Sequence, residues 1–105
     1  MNQVANDNQT ALHLSAASGY DRMVKFLLNN GMTNVNQRTL DGNTALIYAV
    51  FNNHVACVKV LLEFGADFLL ANCNGHSAPE LALSLGHKDI KLMIDAYILQ
   101  LLEAG

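Results

Sequence analysis

Apolar residues recur at helical spacing in three stretches of the chain. Met23, Val24, Leu27 and Leu28 form the first set, Cys57, Val58, Leu61 and Leu62 the second, and Ile90, Met93 and Ile94 the third. Each set predicts an amphipathic helix, starting near residues 21, 55 and 88. A shorter segment precedes each, at 10–19, 44–53 and 77–86. Thr10, Thr44 and Ser77 open these segments as helix N-caps, because a side-chain oxygen there satisfies a free backbone N–H. Ser77 and Glu80 have the spacing of a capping box, and Pro79 lies in the first turn, where a missing N–H costs little. Gly19, Asn53 and Gly86 close the short helices, and Gly31 and Gly65 close the first two long ones. Ala16, Ala49 and Ala82 are small enough to let neighbouring helices approach closely.

The three units are in register. Thr10 and Thr44 are 34 residues apart, and Thr44 and Ser77 are 33 apart. A turn precedes each unit, with Asn8, Gly42 and Gly75 in the slot that requires a positive φ. One pair of short helices cannot bury its own apolar stripe, but about three stacked pairs can. The expected architecture is an all-α solenoid with hairpin-like loops along one edge. It forms a single domain over 1–105, with repeats at about 5–38, 39–71 and 72–105. The first unit carries one extra residue between Gly31 and Asp41, which predicts a bulged hairpin there.

Composition narrows the function. Apolar residues make up 51% of the 105, enough for a core, and charged residues only 14%. The net charge is −3, and the six basic residues are scattered from Arg22 to Lys91, so neither nucleic acid nor an anionic membrane is expected as partner. A strongly acidic partner is disfavoured on the same ground. The opening MNQVANDNQ lacks the basic and apolar regions of a signal peptide. The uncharged stretch from Gly42 to Val58 holds Asn43, Asn52, Asn53 and His54 and is no membrane span. Cys57 and Cys73 are too few and too far apart for a disulfide framework or a zinc half-site. Two free thiols fit a reducing compartment, so the expected location is intracellular, cytoplasmic or nuclear.

Asp41-Gly42-Asn43-Thr44-Ala45-Leu46, Leu61-Leu62-Glu63-Phe64-Gly65-Ala66-Asp67, and Thr10-Ala11-Leu12-His13 with Gly19 together resemble the pattern of ankyrin repeats. The resemblance runs from residue 5 to about 95. It implies protein–protein recognition through hairpin tips and the exposed side of each first helix. It also implies that His13 hydrogen-bonds backbone in the adjoining loop. Ile47 departs from the pattern, standing where the family has His. In the third unit Lys91 and Asp95 replace apolar residues, as a terminal cap requires. The front lacks such a cap. Residues 1–9 read as the tail of a preceding repeat, so the chain is either an excised fragment or has that face covered by something else.

No enzyme motif is present: GxSxG, HExxH, GxGxxG and the phosphate-binding loop are all missing. Asp7 and Asp41 hold equivalent turn positions and read as turn-formers, not as an acid–base pair. Cys73 and His76 alone are too few for a metal. Neither catalysis, a cofactor nor a metal is expected. Asn36 is read as bracing its hairpin with the side-chain amide.

Candidate partner-binding residues follow from the family's partner-facing positions: Asp7, Gln9 and Ser18 in the first unit, Leu40, Asp41, Asn43, Phe51 and Asn52 in the second, and Cys73, His76 and Leu85 in the third. Leu40, Phe51, Cys73 and Leu85 are apolar or soft where a solvated surface needs no such residue. An aromatic anchor with aliphatic neighbours is the composition of a binding hot spot. The last helix runs on past its counterpart, and Tyr97, Ile98, Leu101 and Leu102 continue its apolar stripe. These four either fold back on the body, pair with a second copy as a homodimer, or receive a partner helix. A structural segment of a longer array is the remaining alternative.

Overall fold

The computed structural model describes residues 9–31 and 33–104. They form six helices: α1 (Ala11–Ser18), α2 (Asp21–Asn29), α3 (Ala45–Phe51), α4 (Val55–Glu63), α5 (Ala78–Leu85) and α6 (Lys88–Ala104). Each short helix packs on the long one that follows it. The short helices α1, α3 and α5 also stack in one row, and α2, α4 and α6 in a second. The chain is an all-α solenoid of helix pairs.

Caps set the helix boundaries. Thr10 Oγ1 accepts from the His13 N–H at 3.4 Å, and Thr44 Oγ1 accepts from the Ile47 N–H at 3.2 Å. The Glu80 carboxylate accepts from the Ser77 N–H at 3.1 Å and from its hydroxyl at 2.9 Å. At the other end Gly19 and Gly86 take positive φ, and so does Asn53, the one described non-glycine residue to do so. Asparagine enters that region more cheaply than other side chains. Between the rows lies one core, with Leu12, Leu46, Val24, Val58, Leu61, Ile90 and Ile94 all buried.

Two loops have the same hydrogen-bonded form. Thr39 N–H donates to Asn43 O and Gly42 N–H to Thr39 O, while Asn72 N–H donates to His76 O and Gly75 N–H to Asn72 O. The loop from Thr39 to Asn43 is therefore not bulged, contrary to the expectation from the extra residue. Asn34 and Asp67 hold matching turns: each side chain accepts the N–H two residues on, Asn36 at 2.9 Å and Leu69 at 2.9 Å. By spacing, the extra residue lies between Gly31 and Asn34, ahead of these matching turns.

Successive loops are tied together. Cys73 N–H donates to Asp41 O at 2.8 Å, and the Arg38 guanidinium donates to Ala71 O at 2.6 Å. Asn36 Oδ1 accepts the Asp67 N–H at 2.8 Å, so its amide ties its loop to the following repeat, where the expectation had it bracing its own hairpin. Gly42, at φ +79°, leaves room for this: a Cβ there would lie 3.1 Å from Asn72 Cα and from Cys73 N.

Candidate functional site

The short helices α3 and α5 present one side to a groove between the second and third helix pairs. Its volume is about 490 Å³, and Tyr48, Phe51, Asn43, His76 and Leu85 are among the side chains that line it. Phe51 is 58% exposed and Leu85 42%, so both leave apolar surface open in this groove. Histidine is the only titratable type in the lining besides the Tyr48 phenol; no Asp, Glu, Lys or Arg takes part.

Hydrogen bonds fix the Asn72, Asn43 and Tyr48 side chains of this groove. Asn72 Oδ1 accepts from the N–H groups of Asn74 at 3.0 Å and His76 at 3.1 Å. Its Nδ2 donates to Asn43 Oδ1 at 3.0 Å. On α3, the Tyr48 oxygen accepts from Gln9 Nε2 at 3.1 Å. The Tyr48 ring meets the His13 ring edge-on, with centroids 5.7 Å apart.

His13 is a scaffold residue. The Thr10 N–H donates to its Nδ1 at 2.9 Å, which leaves the proton on Nε2 to donate to Gln37 O at 2.8 Å. His54 and His87 act alike one repeat apart. His54 Nε2 donates to Ala17 O at 3.0 Å and His87 Nε2 to Phe51 O at 3.4 Å, each reaching the short helix of the preceding repeat.

The structure brings Asn43, Phe51, His76 and Leu85 together in the groove. Gln9 joins them through Tyr48. Ser18 and Asn52 are exposed at the ends of α1 and α3, and Asn52 Nδ2 donates to Tyr48 O at 3.1 Å. Leu40, Asp41 and Cys73 lie at the loop tips, where the Cys73 thiol is 3.7 Å from Leu40 O. Asp7 lies outside the described residues. Tyr97 is half-buried with its ring edge-on to Phe68 at 6.0 Å, and Ile98 packs partly against the core. Leu101 and Leu102 are exposed. Sequence reasoning missed Tyr48, whose aromatic character beside Ile47 reads as core. The available signal was its hydroxyl, which needs a polar outlet.

Reactive chemistry is sparse. Cys57 is fully buried, and burial, followed by the charge of Asp21, pushes its thiol from 9.0 up to about 11. Cys73 is a free, exposed thiol. Among the described residues, no group of three or more His, Cys, Asp or Glu could hold a metal ion. No helix among them is long and apolar enough to cross a membrane.

Stacked helix pairs with loops linked from one repeat to the next define a helical repeat protein. The chain belongs to the ankyrin-repeat family: the model "Ankyrin repeats (3 copies)" matches residues 1–72 and 32–100. It is similar to the Notch-regulated ankyrin repeat-containing protein of Xenopus tropicalis, at 38% identity over 90 residues, 82% of this chain and 78% of the frog protein. The human protein of that name is 37% identical over 94 residues, covering 86% of this chain and 82% of its own. A mouse protein, the mitochondrial liver isoform of glutaminase, is 33% identical over 94 residues, but these are only 15% of that enzyme. Ankyrin repeats are in general protein-interaction modules, and typically not enzymes.

Proposed function

We propose that this chain is a protein–protein interaction module whose partner seats in the groove between the second and third helix pairs. The observation that carries the reading is the meeting of Phe51 and Leu85, both exposed, with Tyr48, Asn43 and His76 in one concavity. Short helices packed in a row hold these side chains in place before binding, so little entropy is lost on association. The test is affinity capture followed by titration of the recovered partner against purified wild type and a Phe51→Ala/Leu85→Ala variant. A weakening of about tenfold or more supports the groove, since hot-spot truncation has that scale. Unchanged affinity rejects it.

A second reading rests on the front face. Leu14, Met23 and Phe26 are 54%, 47% and 55% exposed. Their counterparts one repeat on are Tyr48, Cys57 and Val60, then Leu81, Ile90 and Met93, all buried or half-buried. A preceding repeat covers those counterparts, so the front face has the form of an interface awaiting a helix pair. A partner that ends in an apolar helix pair would seat there. Phe26→Glu in the same titration separates the two readings, because Phe26 does not line the groove.

A further inference from the structure

Resting on the reading of the groove as the binding site, we infer that its occupant is an extended, uncharged peptide segment carrying one apolar anchor side chain. The argument starts from Asn72. Its Oδ1 is committed to two backbone N–H groups, so its Nδ2 must face Asn43. Asn43 therefore turns its own oxygen toward Asn72, which leaves the Asn43 Nδ2 hydrogens as donors with no protein acceptor among the described residues. Tyr48 reaches the same state by another route. Its oxygen accepts from Gln9, so the phenol hydrogen remains to be donated. The Asn43 amide is thus a donor of fixed orientation in the groove lining, and the Tyr48 hydroxyl keeps a proton to turn toward a second acceptor. Both call for acceptors.

The carbonyls of an extended chain supply such acceptors along their length. A helix does not, because its interior carbonyls are already used four residues on. Charge decides the side chains. With no Asp, Glu, Lys or Arg in the lining, an entering carboxylate or ammonium would lose water and gain no counter-ion. In the same lining, Phe51 and Leu85 provide the exposed apolar surface for one aliphatic or aromatic anchor.

The probe is a phage-displayed library of random linear peptides, selected against the whole chain. The enriched peptides are then synthesised and titrated. Expected are sequences with one apolar anchor flanked by uncharged residues, with affinities that change by less than about twofold on raising the salt well above physiological strength. Asn43→Asp keeps the oxygen for Asn72 and removes the donor, and Tyr48→Phe removes the second donor. Each is expected to weaken binding by about fivefold or more, the scale of one lost hydrogen bond. Thermal melts of both variants establish that the fold is kept. Peptides that lose affinity with Phe51→Ala but are charged, salt-sensitive or helical would overturn the inference and leave the groove standing. Peptides indifferent to Phe51→Ala and Leu85→Ala would overturn the groove as well. Failure to enrich any peptide would count against the inference.

Discussion

His54 stands directly over Gly19. Its Nε2 donates to Ala17 O at 3.0 Å, and a Cβ on residue 19 would lie 2.8 Å from its Nδ1. One ring thus ties the second helix pair to the end of the first short helix. Gly19 also has φ +83°, whereas Gly86, at φ +74°, has nothing within 4 Å of a built Cβ. The two sites separate strain from collision. Gly86→Ala is expected to cost about 1 kcal/mol for the backbone alone, and Gly19→Ala about 1–2 kcal/mol more. Chemical denaturation measures both. His54→Ala in the Gly19→Ala background should recover part of the excess, which a double-mutant cycle isolates.

Asn36 joins adjacent repeats through one oxygen, which accepts the Asp67 N–H at 2.8 Å. Asn36→Ala is expected to lower stability by about 0.5–1.5 kcal/mol, the net value of one hydrogen bond. Asn36→Asp keeps an oxygen for the Asp67 N–H and should cost less. Urea titration of the two variants beside wild type reads the difference.

The two cysteines should differ sharply in reactivity. Cys57 is buried with its thiol raised to about 11, while Cys73 is exposed. Only the thiolate attacks a disulfide reagent, so one thiol per chain should react promptly in the native protein near neutral pH and a second only on unfolding. A folded pKa above the unfolded one also means that the native state holds its proton more tightly. Stability should therefore fall as pH rises from 9.0 toward 11. Cys57→Ala, though less stable throughout, should lose that alkaline slope in a pH series of melts.

Glu80 has the opposite sign. The Ser77 N–H, then the Ser77 hydroxyl, hold its carboxyl below the ordinary 4.5. Its contribution is complete above 4.5 and is lost as pH falls below that value through the lowered folded pKa. Glu80→Gln should thus be less stable than wild type near neutral pH, with the gap narrowing on acidification. A constant gap across the acid range would show that the carboxylate charge is not what matters.

Much of this architecture is legible in the sequence because its signals are local. Thr10, Thr44 and Ser77 start helices, and Gly19, Asn53 and Gly86 take the positive φ that ends them, all within a few residues of what they control. Repetition then gives the stacking, since one unit's apolar stripe needs the next. The groove was only half legible. Phe51 and Leu85 stand out as apolar residues on an outer side, but Tyr48 is fixed by Gln9, 39 positions away. The same holds for the loop edge. Arg38 with Ala71 and Asn72 with Asn43 pair across repeats, and no periodicity announces such contacts. For the last helix, the apolar stripe is visible in the sequence. That Tyr97 meets Phe68 depends on where the preceding loop runs.

The back of the stack carries the last prediction. Lys91 and Asp95 occupy the positions held one repeat earlier by Val58 and Leu62, which are buried against the third helix pair. Lys91 Nζ meets Asp95 Oδ2 at 2.8 Å, with the two side chains 31% and 47% exposed. A pair this wet contributes less than about 1 kcal/mol to stability, so folding does not depend on it. Its effect is on association. To stack on the apolar front face of another copy, the chain would have to desolvate both charges, a cost their attraction does not reliably offset. Lys91→Val/Asp95→Leu restores the apolar pattern of the preceding repeat. It should leave the melting temperature within a few degrees of wild type, as about 1 kcal/mol implies for a domain of this size. It should also drive head-to-tail association, which does not close and so grows with concentration. Light scattering over a concentration series tests this, with Phe26→Glu added to remove the opposing face. A double variant that stays monomeric would show that the ion pair does not guard this end. Growth that Phe26→Glu abolishes would show both that it does and that Leu14, Met23 and Phe26 form the surface it guards against.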